Sequence, residues 1–267
     1  MKTFSRIYMW VVFALLYAPI VVLVAFSFNG GGSLSSFTGI SFRWYGELFR
    51  DEIALNALKN SLLLALSSSA IATVIGTFAS LGLSRMRSNL AKGVITSVTN
   101  IPMMNPDIVT GVSMMLLFVA LGGVLNMEHV LGRWTMLIAH VTFILPYVIL
   151  SVLPRFRQFD PSLREAALDL GCTPAKSFFK IELPSVLPGI LSGFMMGFTL
   201  SLDDFVISHF VSSPDFQTLP LYIYNQTAHE VKYSMYALCA LIIVAILALL
   251  LAVNFAGSLG KKKEAAR

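Results

Sequence analysis

Residues 154–208 read PRFRQFDPSLREAALDLGCTPAKSFFKIELPSVLPGILSGFMMGFTLSLDDFVIS, a basic, turn-rich stretch running directly into a long apolar one. As a helix, the second part, Val186 to Ser208, can cross the roughly 30 Å hydrocarbon layer of a bilayer, which takes about 20 residues. The first part, 154–185, is too polar for that and carries Arg155, Arg157, Arg164, Lys176 and Lys180. Outward from this pair, apolar runs recur at about residues 7–28, 61–83, 94–121, 134–153 and 235–255, so six spans are expected. Hydrophobic residues make up 56% of the chain and charged residues only 12%, against about 25% charged in soluble domains. This composition excludes a soluble globular protein and predicts an all-α membrane protein, with residues 1–267 forming one transmembrane domain. The ten-residue alternating segments of a transmembrane barrel are absent from the sequence.

Positively charged loops stay in the cytoplasm, and this orients the spans. Of the 19 Lys and Arg residues, only Arg43, Arg50, Lys59, Arg133 and Lys232 fall on one side; the others accompany both termini and the 154–185 loop, which are therefore expected to be cytoplasmic. The first apolar run follows Lys2 and Arg6 but exceeds the 7 to 15 residues of a signal-peptide core, and reads as an uncleaved span. Basic loops facing anionic headgroups account for the net charge of +5 without nucleic acid. Cys172 and Cys239 lie at different depths and are not expected to pair. The sequence contains no phosphate-binding loop, nucleophile elbow or paired Cys/His metal spacing, so no ATP hydrolysis or catalysis is expected of this chain, nor a bound cofactor or metal.

The basic loop has two helix starts. Asp160 can cap a helix with Pro161 at its first position, or Ser162 and Glu165 can form a capping box. Leu163, Ala166, Ala167 and Leu170 follow at helical spacing, and Gly171 is placed to stop the helix in a left-handed conformation. Thr173 and Pro174 start a second helix, which Leu183 and Pro184 are expected to end. A docking helix for a partner and an amphipathic helix lying on lipid both fit this pattern.

Glu165-Ala166-Ala167, Gly171 four residues on, and Ile181-x-Leu183-Pro184 together resemble the signature loop of permease subunits of bacterial ATP-binding cassette importers, with every signature position filled. The resemblance implies that the loop's first helix couples to a groove on a separate ATPase subunit. Further stretches resemble the permeases of spermidine/putrescine importers, in particular the second, shorter one. They are Tyr17-Ala18-Pro19-Ile20, Ser27-Phe28-Asn29, Arg43-Trp44-Tyr45, Pro106-Asp107-Ile108-Val109, His140-Val141-Thr142-Phe143, Asp169-Leu170-Gly171 and Phe198-Thr199-Leu200-Ser201-Leu202-Asp203-Asp204. The implied assembly has this chain and a sister permease enclosing a path in the bacterial inner membrane. Two ATPase subunits carry ATP and Mg below, and an extracytoplasmic polyamine-binding protein delivers substrate above. The entry to the last span, His229-Glu230-Val231-Lys232-Tyr233-Ser234-Met235-Tyr236-Ala237-Leu238, departs from that family's pattern.

Asp107, Asp203 and Asp204 fall within apolar spans, where each costs about 2.5 to 3.5 kcal/mol to insert, and no Lys or Arg shares those spans. They are candidates to line a path for a cation; capping or solvation at a helix end is the other reading for Asp203 and Asp204. Ser185, Gly189, Gly193, Gly197 and Ser201 form a small-residue stripe that Asp204 roughly continues, so Asp204 is expected to face inward and Asp203 to be turned away. Pro102 and Pro106 predict a kinked third span with irregular backbone beside a cavity, which makes Asp107 a further site candidate. Trp44, Tyr45, Tyr222 and Tyr224 either cradle ammonium groups or form an interfacial belt. His140 and His209 have no matching ligand set and are expected in hydrogen-bonding or surface roles. An importer of another small solute such as iron or thiamine, and an ion-coupled carrier using the intramembrane aspartates, are the alternatives.

Overall fold

A computed structural model of the chain describes residues 2–31, 37–127, 129–228, 232–245 and 247. Its helices are α1 (Lys2–Ser27), α2 (Arg43–Leu48), α3 (Glu52–Arg85), α4 (Asn89–Met104), α5 (Asp107–Val124), α6 (Arg133–Gln158), α7 (Pro161–Asp169), α8 (Pro174–Ser177), a π turn (Phe178–Glu182), α9 (Leu183–Leu202), α10 (Val206–Val211) and α11 (Leu219–Thr227). A further apolar helix, α12, covers Ser234–Ala245. No named strand occurs among the described residues, only two isolated bridges. Five helical stretches among them are long and apolar enough to cross a membrane: Phe4–Ser27, Glu52–Arg85, Asp107–Val124, Arg133–Gln158 and Pro174–Leu202. The expected sixth span, 235–255, begins in α12, and its part beyond residue 247 lies outside the described residues. Residues 229–231, in the departure before that span, lie outside them too, as do Lys261–Lys263 and Arg267.

The chain divides into two compact units, Met1–Leu55 with Ile223–Arg267, and Asn56–Tyr222. In the first, the loop after α1 is pinned to α2. The Trp44 indole N–H donates to the Asn29 carbonyl at 2.6 Å, the Tyr45 hydroxyl lies 2.8 Å from Ser27 Oγ, and the Trp44 and Tyr233 rings are 5.0 Å apart.

The second unit is organised by α6 and α9. Met136, Ile144, Val148 and Val152 of α6 and Val186 of α9 are fully buried in its core. Close approach is possible because Gly189, Gly193 and Gly197 line the buried face of α9. A Cβ at Gly189 would meet the Ser151 carbonyl oxygen at 3.0 Å, and one at Gly193 would meet Val148 Cγ1 at 3.3 Å. The small-residue stripe is thus used for packing within this chain, as such stripes permit. Ser185, its expected first member, is exposed and returns its hydroxyl to the Ile181 carbonyl.

Three expectations about boundaries are corrected. The third span is not one kinked helix over 94–121: α4 stops at Met104, Asn105 (ψ 143°) and Pro106 (ψ 136°) are extended, and α5 begins afresh at Asp107. Proline disfavours helical geometry in the residue before it, so Asn105 is extended, while Pro102 remains inside α4. Leu183-Pro184 does not end the second loop helix: α8, the π turn and α9 follow without a break from Pro174 to Leu202. A proline in a helix lacks the N–H and collides with the carbonyl four residues back. The wider π turn, closed by Leu183 N–H to the Phe178 carbonyl, relieves that conflict just before Pro184. The fifth span does not continue to Ser208 as one helix, because α9 stops at Leu202 and α10 starts at Val206.

Candidate coupling loop and intramembrane polar sites

The loop between α6 and α8 presents α7. The Asp160 carboxylate accepts from the Ser162 amide at 2.9 Å and Pro161 occupies the first turn, which selects the Asp160 cap over the capping box. The Ser162 amide and then its hydroxyl hold the Asp160 carboxyl below the usual carboxylate range. The helix stops at Gly171, whose φ of +83° only glycine adopts without cost. Gly171 N–H donates to the Leu168 carbonyl at 2.9 Å, and Cys172 N–H reaches back to the Ala167 carbonyl at 3.0 Å. These are the paired bonds of a left-handed helix stop. Thr173 then caps α8, its hydroxyl accepting from Lys176 N–H.

Between these stops α7 is divided in two. Ala167 is its only buried residue. Leu163 is 50% exposed and Leu170 86% exposed, with Ala166 exposed between them. Spaced i, i+3 and i+7, these three form one apolar row facing away from the chain. Glu165 beside them is exposed, Ile181 and Leu183 are half-buried, and Pro184 is exposed.

Glu182, the unspecified position of the Ile181-x-Leu183-Pro184 motif, was not singled out from the sequence. Its side chain is 4% exposed, and both carboxylate oxygens accept from Arg85 Nη2 at 2.7 and 2.6 Å, while Arg164 Nε of α7 lies 3.4 Å from Oε1. A buried carboxylate with no cation would cost several kcal/mol. The available signal was one acid at the edge of an apolar span, with Arg85 at the end of another.

A second polar group lies within the spans. His140 of α6 is fully buried, with Nδ1 2.7 Å from Ser201 Oγ and Nε2 3.2 Å from Ser208 Oγ. Ser68 of α3 extends the group through a 3.0 Å contact to Ser201 Oγ. Asp204 lies 3.5 Å from His140 Nε2 and accepts from Ile207 N–H at 3.2 Å and Ser208 N–H at 2.8 Å, so it caps α10. Asp204 is therefore buried and Asp203 exposed. The inward position of Asp204 comes from capping across the break after Leu202, not from the face of a continuing helix.

Asp107 stands apart from that group. It is exposed on the first turn of α5, directly after the break, with Tyr147 of α6 within electrostatic reach. A shallow cavity of about 250 Å³ follows the break, lined among others by Asn105, Thr110 and Ser113. Trp44 and Tyr45 are engaged by Asn29 and Ser27, and the Arg43 guanidinium lies 5.1 Å from the Trp44 ring centroid. Tyr222 is 3% exposed. Cys172 and Cys239 are both free thiols. No group of three or more His, Cys, Asp or Glu side chains suited to a metal occurs among the described residues.

Residues 72–259 match the family model described as binding-protein-dependent transport system inner membrane component. The chain is 41% identical over 234 residues to the putrescine transport system permease protein PotI of Escherichia coli strain K12, covering 88% of this chain and 83% of that one. It is 39% identical over 242 residues to the spermidine/putrescine transport system permease protein PotC of Haemophilus influenzae, covering 91% of each. Among solved structures, it is similar to a chain of a bacterial ABC transporter involved in import of the acidic polysaccharide alginate. The TM-score there is 0.73 at 13% identity, over 96% of this chain and 95% of that chain. A bacterial alginate ABC transporter in complex with an alginate pentasaccharide-bound periplasmic protein gives a TM-score of 0.72 at 16% identity, over 94% and 92% of the two chains. At those identities the likeness is one of fold.

Proposed function

The chain belongs to the family of binding-protein-dependent transport system inner membrane components, and from that membership we propose that it is a permease subunit of an ATP-driven polyamine importer in the bacterial inner membrane. The observation that carries the coupling role is the exposed apolar row Leu163, Ala166, Leu170 on a helix stopped sharply at both ends. Such a row calls for cover by lipid or by a partner, and the family membership favours a partner. The partner is a separate ATPase subunit, of which the complete transporter has two, and ATP with Mg belongs to those subunits. A sister permease completes the path and an extracytoplasmic binding protein delivers the substrate. Both termini and α7 face the cytoplasm, as the distribution of Lys and Arg supports.

The polyamine assignment is supported by the putrescine and spermidine/putrescine permeases to which the chain is similar. The exposed Asp107, on the first turn after an interrupted helix, adds a carboxylate where a cation would pass. We assign Asp107 and the exposed Asp203 to the path, while Asp204 holds α10. Closure of the ATPase pair on ATP moves α7, and the spans follow as packed bodies to give alternating access. The test is co-purification of the ATPase with Leu163→Asp and Leu170→Asp variants. The expected result is loss of the ATPase with the chain still in the membrane; retention in both variants would contradict the docking role.

A further inference from the structure

α7 touches the rest of the chain lightly. Only Ala167 is buried, and α7 is joined to the spans through the short connections at Phe159–Asp160 and Gly171–Thr173. A small helix attached in this way transmits movement to its own sequence neighbours, α6 and α8. Its covalent route to α3 runs through α6, α5 and α4, so the end of α3 lies far away in sequence. The Glu182 carboxylate bridges that gap. Arg85, the last residue of α3, is 97 positions from Glu182, yet its Nη2 donates to both Glu182 oxygens at 2.7 and 2.6 Å. Arg164, on α7 itself, brings Nε to 3.4 Å from Glu182 Oε1.

The two arms differ. The Arg85 arm is short and hydrogen bonded. The Arg164 arm is within ion-pair distance, but Arg164 Nε is a buried donor with no hydrogen-bond acceptor. A buried donor in that condition gains from any rearrangement that supplies an acceptor, and the nearby acceptor is the carboxylate already held by Arg85. A small displacement of α7 toward Glu182 would complete the Arg164 bond on Oε1, which has lone pairs for both arginines, and would draw the carboxylate against the Arg85 bonds, an exchange of load between the two arms. The carboxylate, buried at 4% side-chain exposure, is shielded from the water that would otherwise weaken the exchange. Its position is fixed by the π turn, which buries Phe178 and Glu182.

We infer that Glu182 is a positioning residue that couples movement of α7 to α3, its carboxylate being shared between Arg164 on the docking helix and Arg85 at the foot of the span. This rests on the reading of α7 as the ATPase-docking helix and adds to it a route into a span that the signature loop does not contain. Glu182 touches neither substrate nor nucleotide in this role. Its effect is on how much transport each cycle of hydrolysis yields.

The test uses the whole transporter in liposomes, comprising this chain, its sister permease, the ATPase subunits and the binding protein. Labelled putrescine and spermidine are the probes, and polyamine imported per ATP hydrolysed is the readout, beside ATPase retained on the complex. Glu182→Gln and Arg85→Gln are each expected to keep the ATPase bound and lower import per ATP about tenfold, within the usual range of coupling effects. The double variant should be no worse than either alone, and Arg85→Lys should recover part of the loss. Should Glu182→Gln fail to accumulate, the Arg85 variants carry the test, since the Arg85 side chain is 43% exposed. Wild-type import per ATP in Arg85→Gln, or additive losses in the double variant, would overturn the joint while leaving the docking role intact. A wild-type chain that retains no ATPase would defeat the docking reading and the joint with it.

Discussion

The Cys172 amide hydrogen bonds to the Ala167 carbonyl across Gly171, at 3.0 Å, and this backward reach ends the exposed helix α7. It depends on the φ of +83° at Gly171, where an added Cβ would meet open space. Substitution there therefore acts through backbone conformation alone.

Gly171→Ala is expected to cost about 1 to 2 kcal/mol at the α7 stop, reducing ATPase co-purification in part. Gly171→Pro fixes φ near −65° and removes the N–H that bonds Leu168, so it should abolish co-purification. Quantifying the ATPase bound per chain at matched membrane levels checks both, and equal binding by the proline variant would contradict the account of the stop.

The packing of α6 on α9 makes an unequal prediction for two glycines. An added Cβ at Gly189 would lie 2.5 Å from Arg155 Cγ and 3.0 Å from the Ser151 carbonyl oxygen, while Gly82 has nothing within 4 Å. Gly189→Val should overpack the contact by about 1 to 3 kcal/mol, and Gly82→Ala should be neutral or slightly stabilising. Thermal unfolding of the complex in detergent would show the difference; equal midpoints would mean the two helices do not pack as described.

His140 links Ser201 and Ser208, with Asp204 3.5 Å away. His140→Leu deprives these buried groups of a partner, at about 1 to 3 kcal/mol for each polar atom left unsatisfied, and should lower the unfolding midpoint. Asp204→Asn keeps an oxygen for one of the two α10 amides, which bond separately to Oδ1 and Oδ2, and should cost less than Asp204→Ala, which loses the whole cap, worth about 0.5 to 2 kcal/mol. An asparagine variant as unstable as the alanine variant would place the weight on the charge instead.

Asp107 has the opposite signature, because it is exposed and caps nothing through its side chain. Asp107→Asn should leave unfolding and ATPase binding unchanged while lowering polyamine uptake about tenfold or more, the scale expected when a charged partner in a low-dielectric path is removed. Unaltered uptake in initial-rate measurements would remove Asp107 from the path.

The parts of this fold written in local chemistry were legible in the sequence. Asp160, Pro161 and Gly171 specified the ends of α7, Thr173 the start of α8, and the glycine stripe the buried face of α9. The interruptions were harder, because proline acts differently according to its neighbours. Pro102 stays in a helix, Pro106 follows a break, and Pro184 is accommodated by a π turn. Asp204 was expected to face the interior of an assembly along the stripe; it is buried within this chain because its carboxylate caps α10. Glu182 was hidden because its partners, Arg85 and Arg164, come together only in three dimensions. The signature positions around it drew attention to Ile181, Leu183 and Pro184 instead.

On the function proposed above, this chain passes polyamines across the membrane on power supplied through α7. The most direct test of that function is the initial rate of labelled putrescine and spermidine uptake by liposomes holding the complete transporter, with and without ATP inside, for the wild-type chain and Gly171→Pro. ATP-dependent uptake by the wild type is expected, and its loss in the variant although the chain remains folded in the membrane. ATP-independent uptake, or equal uptake by the two chains, would contradict it.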